Sequence, residues 1–326
     1  MVKKKINEPL TLGVDLGGTK VNVALVDAKG QLVYAHNSLI HASKEPKKVI
    51  DDILSGIDVC LRKTGKEAKA LGIGVAAQVD TKGVVHGSPN LGWKNFPLKQ
   101  KLEQIVKLPV AVTNDVRAAT LAEWKYGSGR GVDDLAVLFV GTGVGGGVIS
   151  GGHVLSGCTN SAGELGHITL VHDGRKCRCP NKGCIEAYVG GWAIAERAQE
   201  AIRLVSQQGK HLVSLAGGAK NITAANVSKA YHEGDLLSRH IVEETGHYLA
   251  AGAVSIVNAF NPCILVLGGG VIDGIPELIQ IVKNDIQNMA LESAVKNLKI
   301  VKAALGANTG AIGAAALAQE LVQLPQ

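Results

Sequence analysis

Residues 10–15 and 21–26 each alternate apolar side chains with small or polar ones, and Gly17-Gly18-Thr19 separates the two runs. A period of two sorts side chains onto the two faces of an extended chain, so the pair predicts an antiparallel β-hairpin with a glycine tip. The design recurs where the apolar run 135–140 enters Gly141-Thr142-Gly143-Val144-Gly145-Gly146-Gly147 and leaves through Val148 and Ile149. This predicts a second hairpin, its tip spanning the glycine run. Residues 70–76, 109–113, 264–267 and 298–301 read as further strands.

Apolar spacings of three and four predict helices at residues 46–62, 191–208, 223–233, 235–259, 276–289 and 310–321, the last rich in alanine. Another opens at Asp115 and runs to residue 124. Strands interleaved with helices predict the α/β class. The longest nearly apolar stretch, residues 248–257, falls short of the roughly 18 residues a membrane span needs. No signal peptide is expected either, because the apolar run that follows Lys3-Lys4-Lys5 is short and breaks at Asp15.

A chain of 326 residues exceeds what one core usually holds and predicts two domains. Aromatic residues are only 3% against 46% hydrophobic, so packing must rest on aliphatic side chains, and 41 glycines imply close backbone approaches. The net charge of +6 is scattered. The lysine run reads as a solvated tail, and no nucleic-acid partner is expected. Three of the six cysteines cluster at metal spacing, while Cys60, Cys158 and Cys263 lie in apolar or small-residue contexts and read as buried thiols. A cytoplasmic protein is expected.

The chemistry concentrates between Glu164 and Glu186. His167, Cys177, Cys179 and Cys184 supply one imidazole and three sulfurs, a closed tetrahedral shell with no position for a catalytic water, which points to structural Zn²⁺. With one His167 nitrogen on the metal, the other is available to a ligand. Elsewhere, Gly17 and Gly18 let backbone N–H groups approach an anion, while Thr19 adds a hydroxyl and Lys20 a charge. Asp15 beside such a cradle suits Mg²⁺, directly or through water. A glycine turn is also what any hairpin needs; two of them, the first preceded by Asp15, point to phosphates. Neither is a dinucleotide fingerprint or a P-loop. Gly268-Gly269-Gly270 leads from strand to helix, either an ordinary turn or a place where amides face a nucleotide. Asp115 stands at a strand end beside Asn114, as a helix N-cap or as a general base.

Asp15-Leu16-Gly17-Gly18-Thr19, Asn114-Asp115, Gly141 to Gly146, Gly163-Glu164-Leu165-Gly166-His167, the three cysteines with Glu186, and Gly268-Gly269-Gly270 resemble, in order and across nearly the whole chain, the ROK family of sugar kinases and repressors. Pro89-Asn90-Leu91-Gly92-Trp93 and Glu186-Ala187-Tyr188-Val189-Gly190-Gly191 resemble its glucokinase branch. The resemblance implies an actin-like ATPase fold: two ribonuclease-H-like α/β domains with an interdomain cleft. The small domain would hold residues 1–114 plus 310–326, and the large domain residues 115–309 with the zinc site. It further implies ATP-dependent phosphorylation of a hexose, at O6 of glucose, with Asp115 as general base. Asn90, Asn114, Glu164, His167, Glu186 and Gln78 would face the sugar. Gly17, Gly18, Thr19, Lys20, Gly141, Thr142, Gly143, Gly145, Gly268, Gly269 and Gly270 would face ATP, with Asp15 near Mg²⁺. A homodimer or homotetramer is implied as well.

Two positions depart from the family pattern. Pro180 replaces a glycine in the zinc loop and has no N–H to donate to a bound sulfur. Gln78 stands where related kinases carry glycine beside the sugar, which leaves mannose, fructose, N-acetylglucosamine and N-acetylmannosamine as alternative acceptors; separately, polyphosphate is an alternative donor to ATP. The other reading is a sugar-responsive regulator or sensor. Such regulators carry a helix-turn-helix domain ahead of the kinase-like body, for which the roughly ten residues before the first hairpin leave no room.

Overall fold

The computed structural model describes residues 9–204 and 209–323. The basic run and the end of the helix expected at 191–208 lie outside them. The described residues form two compact units, one of residues 9–131, 154–162 and 304–323, the other of residues 132–153, 163–204 and 209–303.

The first unit opens with β1 (Thr11–Leu16), β2 (Lys20–Val26), β3 (Leu32–Leu39), α1 (Pro46–Thr64) and β4 (Leu71–Val75). A small sheet follows, of β5 (Gln78–Val79), β6 (Val85–Ser88) and β7 (Trp93–Phe96), then α2 (Leu98–Val106), β8 (Val110–Asn114) and α3 (Asp115–Lys125). The main sheet has the order β3-β2-β1-β4-β8, with β1 to β3 antiparallel and β4 and β8 parallel to β1. Along β1 the alternation works as read: Leu12, Val14 and Leu16 join the core with the α1 residues Ile50, Ile53 and Ile57. Gly13 and Asp15 take the opposite face, where the final helix (Thr309–Gln323) lies. That face tolerates almost no side-chain volume. A Cβ on Gly13 would sit 1.8 Å from the Ala311 carbonyl oxygen, and one on Gly72 equally close to that of Ala314. The same closeness brings the head of the final helix onto Asp15, because a Cβ on Gly310 would lie 2.6 Å from the Asp15 carboxyl carbon.

The second unit repeats the plan with β9 (Leu135–Val140), β10 (Val144–Ser150) and the short β11 (His153–Val154). Its helices are α4 (Glu186–Val189), α5 (Gly191–Leu204), α6 (Lys210–Ala216), α7 (Ala224–His232) and α8 (Leu236–Phe260). It closes with β12 (Ile264–Gly268), α9 (Gly270–Gly274), α10 (Glu277–Met289), α11 (Glu292–Val295) and β13 (Lys299–Lys302). The sheet order β11-β10-β9-β12-β13 copies that of the first unit: β9 and β10 are antiparallel, and β12 runs parallel to both β9 and β13. Two such sheets are the doubling expected of an actin-like ATPase fold. The helix boundaries follow local caps. Thr223 and Asn226 form a reciprocal capping box at α7, and Asp235 caps α8.

Three expectations differ. The glycine tip is only Gly141–Gly143 long, since Gly145, Gly146 and Gly147 pair with Phe139, Leu138 and Val137 inside the ladder. Glycine is needed at 146 because a Cβ there would meet Leu165 at 2.6 Å. Helix α3 belongs to the first unit, whereas residues 115–309 were expected together. Its buried Glu123 accepts hydrogen bonds from the Ser128, Ala304 and Leu305 amides, and a Cβ on Gly313 of the final helix would strike the Ala118 carbonyl at 1.7 Å. Finally, Cys60 is buried, but Cys158 and Cys263 are exposed, one on a loop and one in the turn before β12.

Candidate active site

In the first unit the candidate residues gather at the ends of β1, β4 and β8. Asp15 pairs with Gly74 of β4, and a Cβ on Gly74 would lie 3.3 Å from the Cα of Asp115. Burial, and then the Asp115 carboxylate, push Asp15 up to about 7. Opposite Asp15 across the hairpin, Asn22 donates to Asn308 Oδ1 at 2.9 Å ahead of the final helix. Gly18 sits directly under Asn90, whose Cβ would be 2.8 Å from a Cβ on that glycine. The backbone carbonyl of Asn90 accepts from Lys44 Nζ at 2.8 Å, and Trp93 Nε1 donates to the Lys44 carbonyl at 2.9 Å. The tip of the first hairpin is thus fixed against the turn that carries Asn90. Thr19 and Lys20 on that tip are exposed, as is Gln78 on β5.

Asn114, rather than Asp115, caps α3. Its side-chain oxygen accepts from Val116 N at 2.9 Å and Arg117 N at 3.1 Å, so Asn114 is the N-cap and Asp115 is the first helical residue. The same Asn114 amide donates to the Ala77 carbonyl at 3.3 Å.

The second unit carries the remaining candidates. Glu186 is bound to the glycine tip: one carboxylate oxygen accepts from Val144 N at 2.9 Å and the other from Trp192 Nε1 at 3.2 Å. A Cβ on Gly143 would intrude to 2.5 Å from Glu186 Oε2. Gly191 N and Trp192 N donate to the carbonyls of Gly141 and Thr142 at 2.9 and 3.1 Å, closing the connection. A cavity of about 590 Å³ opens beside this junction, lined by Gly141, Thr142, Trp192, Ile222, Gly270 and Val271 among others. Gly141, Thr142 and Gly270 therefore share one largely apolar pocket. Gly269 has φ 92° and passes under the Val140 carbonyl, 2.5 Å from where its Cβ would be. Gly268 packs on Phe139 and Ala303. Both of these glycines serve close packing.

His167 closes a 3₁₀ turn, Leu165–His167, that begins after the exposed Glu164. It meets Cys177, Cys179 and Cys184 with all four ligand atoms within 4.8 Å of one another. Cys177 Sγ lies 3.7 Å from His167 Nδ1, and Cys179 Sγ 3.7 Å from Cys184 Sγ. A tetrahedron with zinc–sulfur bonds of about 2.3 Å has edges of about 3.8 Å, so the donor set fits zinc, whereas a disulfide needs about 2.05 Å. His167 turns Nδ1 to the sulfurs. The bond expected to be missing at Pro180 is supplied one residue later: Asn181 donates from its backbone to Cys179 Sγ at 3.4 Å and from its side chain to Cys184 Sγ at 3.6 Å.

Sequence reasoning missed Trp192, Arg117, Asn160 and Asn181. A tryptophan directly after Gly190-Gly191, in a chain with three tryptophans, was the available signal for the first; the others depend on contacts distant in sequence.

Asp15 also has a measurable pH signature. Its ordinary carboxyl value is 3.8, and in the folded chain it rises to about 7. Below the unfolded value both states hold the proton and burial costs nothing; as pH rises toward the folded value the unfolded state ionises first, and that stability is lost. Asp15→Asn should therefore stabilise the ligand-free chain at pH 8, by on the order of 2–4 kcal/mol, and change it little at pH 4. Denaturant titrations at the two pH values check this; an equal effect at both contradicts it.

Residues 11–321 match the ROK family. A glucokinase of Streptomyces coelicolor is 32% identical over 314 residues, covering 95% of this chain and 98% of the relative. The crystal structure of a ROK family glucokinase from Streptomyces griseus, in complex with glucose and AMPPNP, matches with a TM-score of 0.84 at 32% identity, covering 95% of this chain and 99% of that one. A DNA-binding transcriptional dual regulator of Escherichia coli is 29% identical over 310 residues, covering 94% of this chain and 74% of the regulator. No helix among the described residues is long and apolar enough to cross a membrane. The chain belongs to the ROK family and has the actin-like ATPase fold.

Proposed function

We propose that the protein is an ATP-dependent hexose kinase that phosphorylates O6 of glucose, with Asp115 as the general base. The observation that carries this reading is the division of labour at the head of α3: Asn114 makes the cap, and the adjacent carboxylate of Asp115 neighbours Asp15 at the strand ends. Relatives named glucokinases, one of them with glucose and an ATP analogue bound, support the same assignment.

In the reaction, Asp115 takes the proton of the sugar hydroxyl while its oxygen bonds to the γ-phosphorus. The bond from that phosphorus to the bridging oxygen breaks, and ADP leaves with the electron pair. Phosphoryl transfer needs mainly positioning and charge stabilisation. Gly17 and Gly18 allow close approach of amides to the phosphates, and Thr19 and Lys20 add a hydroxyl and a charge. The 590 Å³ cavity beside Gly141 and Thr142 suits the base and ribose, with Trp192 as an aromatic wall. In the first unit Asn90 and Asn114, and in the second Glu164, His167 and Glu186, are the candidates for hydrogen bonds to sugar hydroxyls. Mg²⁺ beside Asp15 would neutralise charge on the phosphates. Zn²⁺ held by His167, Cys177, Cys179 and Cys184 would brace the segment that carries His167 and Glu186.

A coupled ADP-release assay over glucose, mannose, fructose and the N-acetylated hexosamines, with ATP or polyphosphate as donor, tests the reading. Glucose with ATP should show the highest kcat/KM. Absence of sugar-dependent ADP release overturns the kinase assignment, and preference for another hexose would direct attention to Gln78.

A further inference from the structure

Asp115 and Gln78 are enclosed in one circuit of hydrogen bonds within the first unit. Asn114 Nδ2 donates to the Ala77 carbonyl at 3.3 Å, on one side of Gln78. On the other side, the Val79 carbonyl accepts from Asn160 Nδ2 at 2.9 Å. Asn160 is gripped by Arg117, whose guanidinium donates to its side-chain oxygen, to its backbone carbonyl at 3.0 Å and to the Ala162 carbonyl at 3.2 Å. Helix α3 closes the circuit, since Asn114 and Arg117 flank Asp115 in sequence.

Residues 156–162 form the far side of this circuit. The loop closes on itself through Ala162 N to the Ser156 carbonyl at 3.1 Å, and none of residues 155–162 is buried. With no buried side chain to anchor it, the loop is held by the Arg117 grip on Asn160 and Ala162 and by the bond from Asn160 to the Val79 carbonyl. Asn160 holds φ 62°, a conformation that asparagine accepts better than most residues and glycine accepts freely. The loop ends two residues before Glu164.

We propose that Arg117, acting through Asn160, is a positioning residue for hexose selection, holding the Gln78 strand and the 156–162 loop at a fixed spacing from Asp115. The inference rests on the kinase reading above. It follows from geometry, because a circuit of charge-assisted and amide bonds fixes several groups at once, and loss of one member frees the rest. A planar guanidinium that serves two acceptor residues is not replaced by an ammonium group.

The test compares the wild-type chain with R117A, R117K and N160G, using steady-state kinetics and calorimetric binding of glucose and mannose. N160G keeps the left-handed backbone and removes only the amide. R117A and N160G should raise the glucose KM about tenfold, lower kcat less than about threefold, and narrow the preference between glucose and mannose. R117K should fall between wild type and R117A. The ATP KM should stay within about twofold, because the bonds of the circuit involve neither the cavity beside Gly141 and Thr142 nor the Gly17–Lys20 tip. The proposal is overturned if glucose KM and sugar preference are unchanged in N160G, or if ATP and glucose KM rise together with a fall in thermal midpoint. Activity in the wild type with unaffected variants removes this inference alone; a wild-type chain that neither turns over nor binds hexose removes the kinase reading with it.

Discussion

Asp115→Asn should lower kcat by about 10²–10⁴-fold while leaving hexose affinity nearly unchanged. The substitution is close to isosteric and removes only the ability to take a proton. It should not loosen α3, because Asn114 accepts from the Val116 and Arg117 amides, and the Val116 amide that Asp115 Oδ1 also receives keeps that partner. This separation matters for interpretation: had Asp115 been the cap, lost activity and lost helix would be confounded, at a cost of about 1 kcal/mol for the cap alone. A second readout is available at Asp15, which Asp115 helps to push up to about 7. Neutralising Asp115 should bring that titration down. Single-turnover rates, glucose binding by calorimetry and the thermal midpoint together decide the matter; near-normal turnover would falsify the base assignment.

Metal removal is expected to have the other large effect. Elemental analysis should find one zinc per chain, and chelation or Cys184→Ala should lower the thermal midpoint and weaken glucose binding together. In small domains structural zinc contributes on the order of 10 kcal/mol of apparent binding free energy. A single hydrogen bond such as those from Asn181 contributes about 1 kcal/mol, so the loop cannot hold its shape on these bonds alone. The effect should extend further than the loop. Glu186 lies two residues past Cys184 and holds Val144 N and Trp192, so loosening it also releases the glycine tip. Chelated protein with zinc absent and glucose affinity intact would contradict this arrangement.

Much of the framework was legible because it is written in local periodicity. The hairpins of β1–β2 and β9–β10 and most long helices fall within a few residues of their expected places. What stayed hidden has longer-range causes. Strand β3 is long but has no buried position, and the strands of the small sheet β5–β7 run only two to four residues, so neither offers much alternation to detect. Gly146 reads as a turn residue in isolation; only Leu165, nearly twenty positions later, explains why a glycine belongs in a strand. The metal cluster was visible from spacing because its donors are confined to one short segment. The role of Asn181 was not, because asparagine carries no signature for donating to sulfur. The circuit through Arg117 was out of reach because its bonds span 37 to 81 residues of sequence.

The glycine-lined face of β1 has a consequence for biogenesis. Its cover is the final helix, which emerges from the ribosome only after the whole second unit has been made. At about 5–20 residues per second, the interval between completion of α3 and arrival of Thr309 is roughly 10–40 s. During that time the nascent first unit holds its sheet with one face bare, next to the strand that carries Asp15. The second unit, made almost entirely between Val132 and Ala303, can complete its own core while the first one waits.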